Sequence, residues 1–190
     1  KISLFCNIDR ASVIESIDAP TIYEVPFNML REGLDIQVLK KLGISAKGEP
    51  DLEKWKSFLY RLKNPLTEVN IGLVGKYVEL KDAYKSISEA FIHAGAATQC
   101  KVKIKWIHSE KLEDNPDCIQ EELQGLNGIL VAPGFGSRGI EGKIMAVRYA
   151  RENKIPFLGI CLGMQCAVIE FARNVLGYKD AHSVEMSAST

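Results

Sequence analysis

Gly159-Ile160-Cys161-Leu162-Gly163 is the stretch that decides the fold. A short apolar run, Ile155-Pro156-Phe157-Leu158, precedes it, and an amphipathic segment from Gln165 to Asn174 follows. This reads as a strand, a sharp turn with the cysteine at its apex, and a helix. Glycines two residues either side of a nucleophile permit the tight turn called a nucleophile elbow. The thiol then stands at a helix N-terminus, where free N–H groups and the helix dipole favour a thiolate. A lone cysteine in such a turn reads first as a packing residue. The flanking glycines and a second turn upstream shift the reading towards a nucleophile.

That second turn is Gly128-Ile129-Leu130-Val131-Ala132-Pro133-Gly134-Phe135-Gly136. Another apolar run ends there in a Pro/Gly turn before a helical pattern. In a parallel sheet both turns fall on the carboxyl edge, where active sites gather. A flexible glycine of this turn can then aim one backbone N–H at the carbonyl that Cys161 attacks, and the N–H of Leu162 would supply a second, the two donors of an oxyanion hole. Two ordinary loops of an α/β fold remain the plainer reading of either turn alone.

The 190 residues carry a formal net charge of zero. Neither this balance nor the composition marks a nucleic-acid-binding or membrane-surface protein. No apolar stretch reaches transmembrane length, and no signal peptide is visible. The five cysteines are scattered and lack zinc-site spacing, so no metal site is expected, and a reduced, cytoplasmic chain is. Cys166 reads as a helix packing residue. Lys1 to Asn7 reads as a strand already under way, and Ser187-Ala188-Ser189-Thr190 stops without a closing element. Both suggest a piece of a longer polypeptide.

Residues 1–42 show short elements: a strand at Lys1–Asn7, a short helix at Arg10–Ser16, and helices at Phe27–Glu32 and Leu34–Leu42. Residues 43–67 read as a linker containing a helix from Asp51, its N-cap, to Leu62. From residue 68 to 190 apolar strands alternate with helices. Strands are expected at Val69–Gly75, Val102–Ile107, Gly128–Ala132 and Phe157–Ile160. Helices are expected at Asp82–Ala97, Cys118–Leu123, Ile140–Arg151 and Leu162–Val175. This alternation predicts an open, mostly parallel α/β sheet with helices on both faces, flavodoxin-like. The Lys101, Lys103, Lys105 face reads as a solvated strand face, and Tyr77 and Tyr84 as packing residues.

These two turns make the second region resemble a class I (triad) glutamine amidotransferase. Longer motifs resemble the CTP synthase family more closely: Gly75-Lys76-Tyr77-Val78-Glu79-Leu80, Asp82-Ala83-Tyr84-Lys85-Ser86, Gly134-Phe135-Gly136-Ser137-Arg138-Gly139, Glu141-Gly142-Lys143 and Pro156 to Gln165. Lys1 to Asn7 resembles the end of that family's ATP-dependent synthetase domain, which residues 1–42 would continue.

The resemblance implies amination of UTP to CTP. ATP phosphorylates the uracil O4, and ammonia from glutamine displaces the phosphate. It implies Mg2+ outside this segment, GTP as activator, CTP as feedback inhibitor, and a homo-oligomer, dimer to tetramer. Cys161 would be the nucleophile, with Gly134 and Leu162 the oxyanion donors. Leu162, Gly163, Met164 and Gln165 would line the glutamine pocket, and Glu185 would hold the α-amino group. Arg138 to Gly142 would form a lid near the GTP site. Lys1 would contact UTP or CTP, and Ile17, Asp18 and Ala19 would touch ATP.

Two departures stand out. Pro133 replaces a glycine and has no N–H, so the donor must be Gly134 or Phe135. His182-Ser183-Val184-Glu185-Met186 replaces Asn-Ser-Thr-Glu-Phe. The family's His-x-Glu pair lies downstream of the cysteine and is not in this sequence, so the 190 residues alone are expected to be inactive. His108-Ser109-Glu110 is read as a decoy, and His93 as structural. The alternatives are an amidotransferase serving another synthetase, and a non-catalytic regulatory domain of the same fold.

Overall fold

The computed structural model describes residues 1–45 and 47–186. The four residues expected to lack a closing element, 187–190, lie outside them. The described residues form two compact units, divided between residues 63 and 64.

The first unit contains α1 (Ile2–Phe5), α2 (Val25–Arg31), α3 (Leu34–Leu42) and α4 (Glu53–Lys63). Its centre is aromatic. Tyr23 is buried, its ring lies 5.1 Å from that of Phe58, and its carbonyl accepts a 2.7 Å hydrogen bond from Trp55 Nε1. Asp51 caps the start of α4 through the Glu53 N–H, as the sequence predicts. The expected strand at Lys1–Asn7 is instead the short helix α1. A strand needs a neighbour to take its backbone groups. Here the N–H groups of Phe5 and Cys6 bond locally, to the Lys1 and Ile2 carbonyls. The helix expected at Arg10–Ser16 shrinks to a 3-10 turn, Arg10–Ser12.

The second unit is built on four parallel strands: β1 (Thr67–Gly75), β2 (Cys100–His108), β3 (Gly128–Val131) and β4 (Phe157–Gly159), in the order β2-β1-β3-β4. Strand alternation explains why both faces must be covered. Val74 and Val131 point to one face and pack with Ile107, Ile144, Val147, Leu162 and Ile169. Leu73 and Leu130, adjacent in register, point to the other face and pack with Tyr84, Ile87 and Phe91. The first face is covered by α6 (Ser109–Asp114), α7 (Ile119–Leu123), α8 (Ile140–Glu152) and α9 (Leu162–Asn174), the second by α5 (Lys85–Thr98). This is the predicted α/β architecture. Residues 81–84 form a 3-10 turn before α5 rather than its first turn. The helix α6 was not expected, because six residues carry too little periodicity to read.

The chain moves from β1 to β2 in one direction and returns to β3 on the other side of β1. Such a reversal opens a crevice at the carboxyl ends of the strands either side of it. Here those are β1 and β3, ending at Gly75 and Val131.

Candidate active site

The residue after β1, Lys76, reaches across this crevice. It is buried, and its Nζ donates to the carbonyls of Phe135 at 2.6 Å and Gly136 at 3.0 Å. Burial and then the nearby Arg138 lower its pKa. The turn after β3 is therefore tied to the end of β1. Gly136 itself has φ +74°, the left-handed region open to glycine.

Cys161 follows β4 and begins α9. It is exposed and has φ +52° and ψ −106°. The backbone strain of the elbow thus rests on the cysteine itself, at a cost of about 1–3 kcal/mol. The flanking glycines serve a different need, which is close approach. A Cβ on Gly163 would lie 2.1 Å from the Val131 carbonyl oxygen, and one on Gly159 would lie 2.5 Å from the Gly163 backbone. Only hydrogen fits, so α9 starts pressed against β3 and its own turn.

The two loops meet. A Cβ built on Gly134 would be 3.6 Å from Leu162 Cδ2. Among the described residues the backbone N–H groups of Gly134 and Leu162 have no hydrogen-bond acceptor, whereas those of Gly163, Met164 and Gln165 bond to the Ile160 and Cys161 carbonyls. Two free donors beside an exposed cysteine at a helix N-terminus are suited to a developing negative oxygen.

Gln165 and Glu185 also come together, with Gln165 Nε2 donating to Glu185 Oε2 at 3.3 Å. Met164 is half exposed beside them. The segment carrying Glu185 is held by Arg173, whose guanidinium donates to the Ala181 carbonyl at 2.7 Å and to both Glu141 carboxylate oxygens. His182 stands 4.0 Å from the same carboxylate. Lys1 and residues 17–19 belong to the first unit. Lys1, Ile17 and Asp18 are exposed, Ala19 is half-buried, and 17–19 lie in an irregular stretch.

The lid expected over Arg138 to Gly142 is corrected. Arg138 and Gly139 precede α8, but Ile140, Glu141 and Gly142 form its first turn. The N–H groups of Glu141 and Gly142 point at Glu113 Oε2, and a Cβ on Gly142 would fall 1.9 Å from the Ser109 carbonyl oxygen. That turn is packed rather than free to close. Arg138 pairs with Glu110 at 3.0 Å.

His108 ends β2, three strand positions from β4. At about 4.8 Å per strand that is roughly 14 Å, too far for proton transfer with Cys161. Cys166, by contrast, is fully buried, and burial pushes its thiol up to about 11. It is the packing residue the sequence suggests.

Two lysines were missed as parts of this site. Lys76 had no visible partner in the sequence. Lys143 left a readable signal, because it interrupts the apolar stripe Ile140, Ile144, Val147 and Ala150 of α8. It is fully buried, and its Nζ donates to the Ala132 carbonyl at 2.8 Å.

No helix among the described residues is long and apolar enough to cross a membrane, and no group of three or more His, Cys, Asp or Glu residues is placed to hold a metal ion.

Comparison with known proteins follows the same division of the chain. The family model for class-I glutamine amidotransferases matches residues 79–190, and that for the CTP synthase N-terminus matches residues 1–44. The whole chain aligns with CTP synthases of Cytophaga hutchinsonii at 70% identity and Flavobacterium johnsoniae at 63%, covering 35% of each relative. It aligns with that of Methanocaldococcus jannaschii at 60%, covering 36%. The chain thus spans about a third of the length of these relatives. Among solved structures, the glutaminase domain of Trypanosoma brucei CTPS with bound acivicin superimposes with a TM-score of 0.60 at 45% identity, over 63% of this chain and 46% of that one. With more than half of its residues matched by that family model, the chain belongs to the class-I glutamine amidotransferases.

Proposed function

We propose that this chain is the glutamine-hydrolysing part of a CTP synthase and that Cys161 is its nucleophile. One observation carries the reading. An exposed cysteine sits strained at the start of α9, with the unpaired N–H groups of Leu162 and Gly134 beside it. The match to CTP synthases along the whole chain supports the choice of synthetase.

In this reading the Cys161 thiolate attacks the side-chain amide carbon of L-glutamine. The carbonyl oxygen becomes an oxyanion held by the N–H groups of Leu162 and Gly134. The C–N bond breaks as the nitrogen takes a proton from a general acid that the resemblance places outside this segment, ammonia leaves, and a glutamyl thioester remains. Water then hydrolyses the thioester to glutamate and restores the thiol. Gly163, Met164 and Gln165 line the pocket, and the Glu185 carboxylate receives the α-ammonium.

The ammonia aminates UTP in an ATP-dependent step. Lys1 is assigned to UTP or the inhibitor CTP, and Ile17, Asp18 and Ala19 to ATP. Among the described residues no cluster of carboxylates fits Mg2+, whose place in this reading is outside the segment. GTP activation, a homo-oligomer of two to four copies and a cytoplasmic location complete the reading.

The test is CTP formation from UTP by the full-length protein. Cys161→Ser should abolish the glutamine-dependent reaction and leave the ammonia-dependent one. Loss of both, or of neither, sinks the two-site reading.

A further inference from the structure

Lys143 is the largest fully buried side chain among the described residues. An ammonium carries three donors. Among the described residues its one acceptor is the Ala132 carbonyl, and no carboxylate pairs with it. Burying an unpaired charge costs several kcal/mol, so a neutral residue of the same length would be the cheaper choice for packing alone.

Its position shows what the charge faces. A Cβ on Gly134 would lie 3.6 Å from Nζ and equally far from Leu162 Cδ2. The ammonium therefore sits behind the turn that presents the Gly134 N–H, next to the first residue of α9. Three titratable groups reach it: Cys166 and Cys161 favour its charge, and Lys76, from the end of β1, opposes it. Burial keeps Cys166 neutral, and of the two thiols only Cys161 is exposed to a substrate.

We propose that Lys143 is a positioning residue of the glutamine-hydrolysing site: it fixes the Ala132–Gly134 turn and holds a buried positive charge behind the Cys161 thiolate and the oxyanion. This deepens the reading of Cys161 as the nucleophile and rests on it. Burial holds the amine at about 8, which leaves most of it protonated at neutral pH, and an anion in front of it strengthens that state.

The experiment compares the full-length protein with its Lys143→Met and Lys143→Arg variants. The rate of Cys161 alkylation by iodoacetamide is read by peptide mass mapping, beside glutamine kinetics and melting. Lys143→Met should slow alkylation about tenfold at pH 7 but not at pH 10, where thiols ionise unaided. It should lower kcat about tenfold with the glutamine KM within twofold, and Lys143→Arg should recover part of both. A folded Lys143→Met protein alkylated at the parent rate at pH 7, or slowed equally at both pH values, overturns the proposal. If Lys143→Met does not fold, the parent protein decides: Cys161 must react several times faster than free cysteine at pH 7, and an equal or slower rate overturns it. Glutaminase activity surviving in Cys161→Ser would instead remove the nucleophile reading, whatever Lys143 does.

Discussion

Gln165 Nε2 donates to Glu185 Oε2 at 3.3 Å, which joins the first turn of α9 to a segment twenty residues further along the chain. The two residues share no element, and the contact exists because Arg173 ties the returning segment to α9 and Glu141. If this pair receives the amino-acid end of glutamine, Glu185→Gln should raise the glutamine KM tenfold or more with a much smaller change in kcat. Steady-state glutaminase kinetics decide it. An unchanged KM removes Glu185 from the pocket.

Cys161 should be the residue that a glutamine-analogue electrophile labels. Its thiol is exposed, and Cys166, five residues on, is fully buried. Peptide mass mapping of the folded full-length protein should place the adduct on the peptide carrying Cys161 and spare Cys166. No adduct would favour a non-catalytic domain of this fold.

Gly163→Ala should be severe, although it adds one methyl group. The new Cβ would meet the Val131 carbonyl oxygen at 2.1 Å, and backbone cannot rotate away as a side chain can. Overpacking of this kind costs about 1–3 kcal/mol or more. Moving α9 away from β3 would also move the Leu162 N–H relative to Gly134. Urea unfolding should show the loss of stability, and glutamine hydrolysis should fall further than stability alone explains.

Glu170 is almost fully buried and receives both Nε and Nη2 of Arg151, with Asn174 donating to it as well. This clamp fastens α8 to α9. Glu170→Ala should cost about 1.5–3 kcal/mol, the worth of the charge-assisted hydrogen bonds to a buried carboxylate, because the exposed Arg151 guanidinium stays solvated and beside Glu152. A loss below about 1 kcal/mol in chemical denaturation would show the pair to be solvated.

Lys143→Met should change stability in a pH-dependent direction. The amine titrates near 8 in the fold and near 10.5 when unfolded. Between those values the unfolded chain holds a proton that the native chain has lost, so the native state gains stability as pH rises. The penalty is fully present below pH 8 and amounts to about 3 kcal/mol. Removing the donor to Ala132 gives back about 1–2 kcal/mol. Lys143→Met should therefore be more stable than the parent by about 1–2 kcal/mol at pH 7. That advantage should vanish by pH 10, as melting curves at the two values would show.

The sheet, the alternation of helices and strands, and the elbow were legible because their signals are local. Apolar runs such as Ile129-Leu130-Val131, punctuated by glycine, report a buried strand within a few residues. The same local logic misread Lys1–Asn7, since a strand is defined by its neighbour and not by its own residues. It also passed over α6, which is too short to show a period.

The sequence by itself determined the candidate site: a cysteine between two glycines, after a strand and before a helix, with a second glycine turn upstream. Only the tertiary structure decided how the centre is built. It placed the strain on Cys161, turned its glycines into points of helix–strand contact, moved residues 140–142 from a lid into a packed helix turn, and buried Lys143 behind the Gly134 turn. The physical reason is range. Turn chemistry is set by a residue and its immediate neighbours, whereas burial, charge and close approach depend on chain segments that only folding brings together.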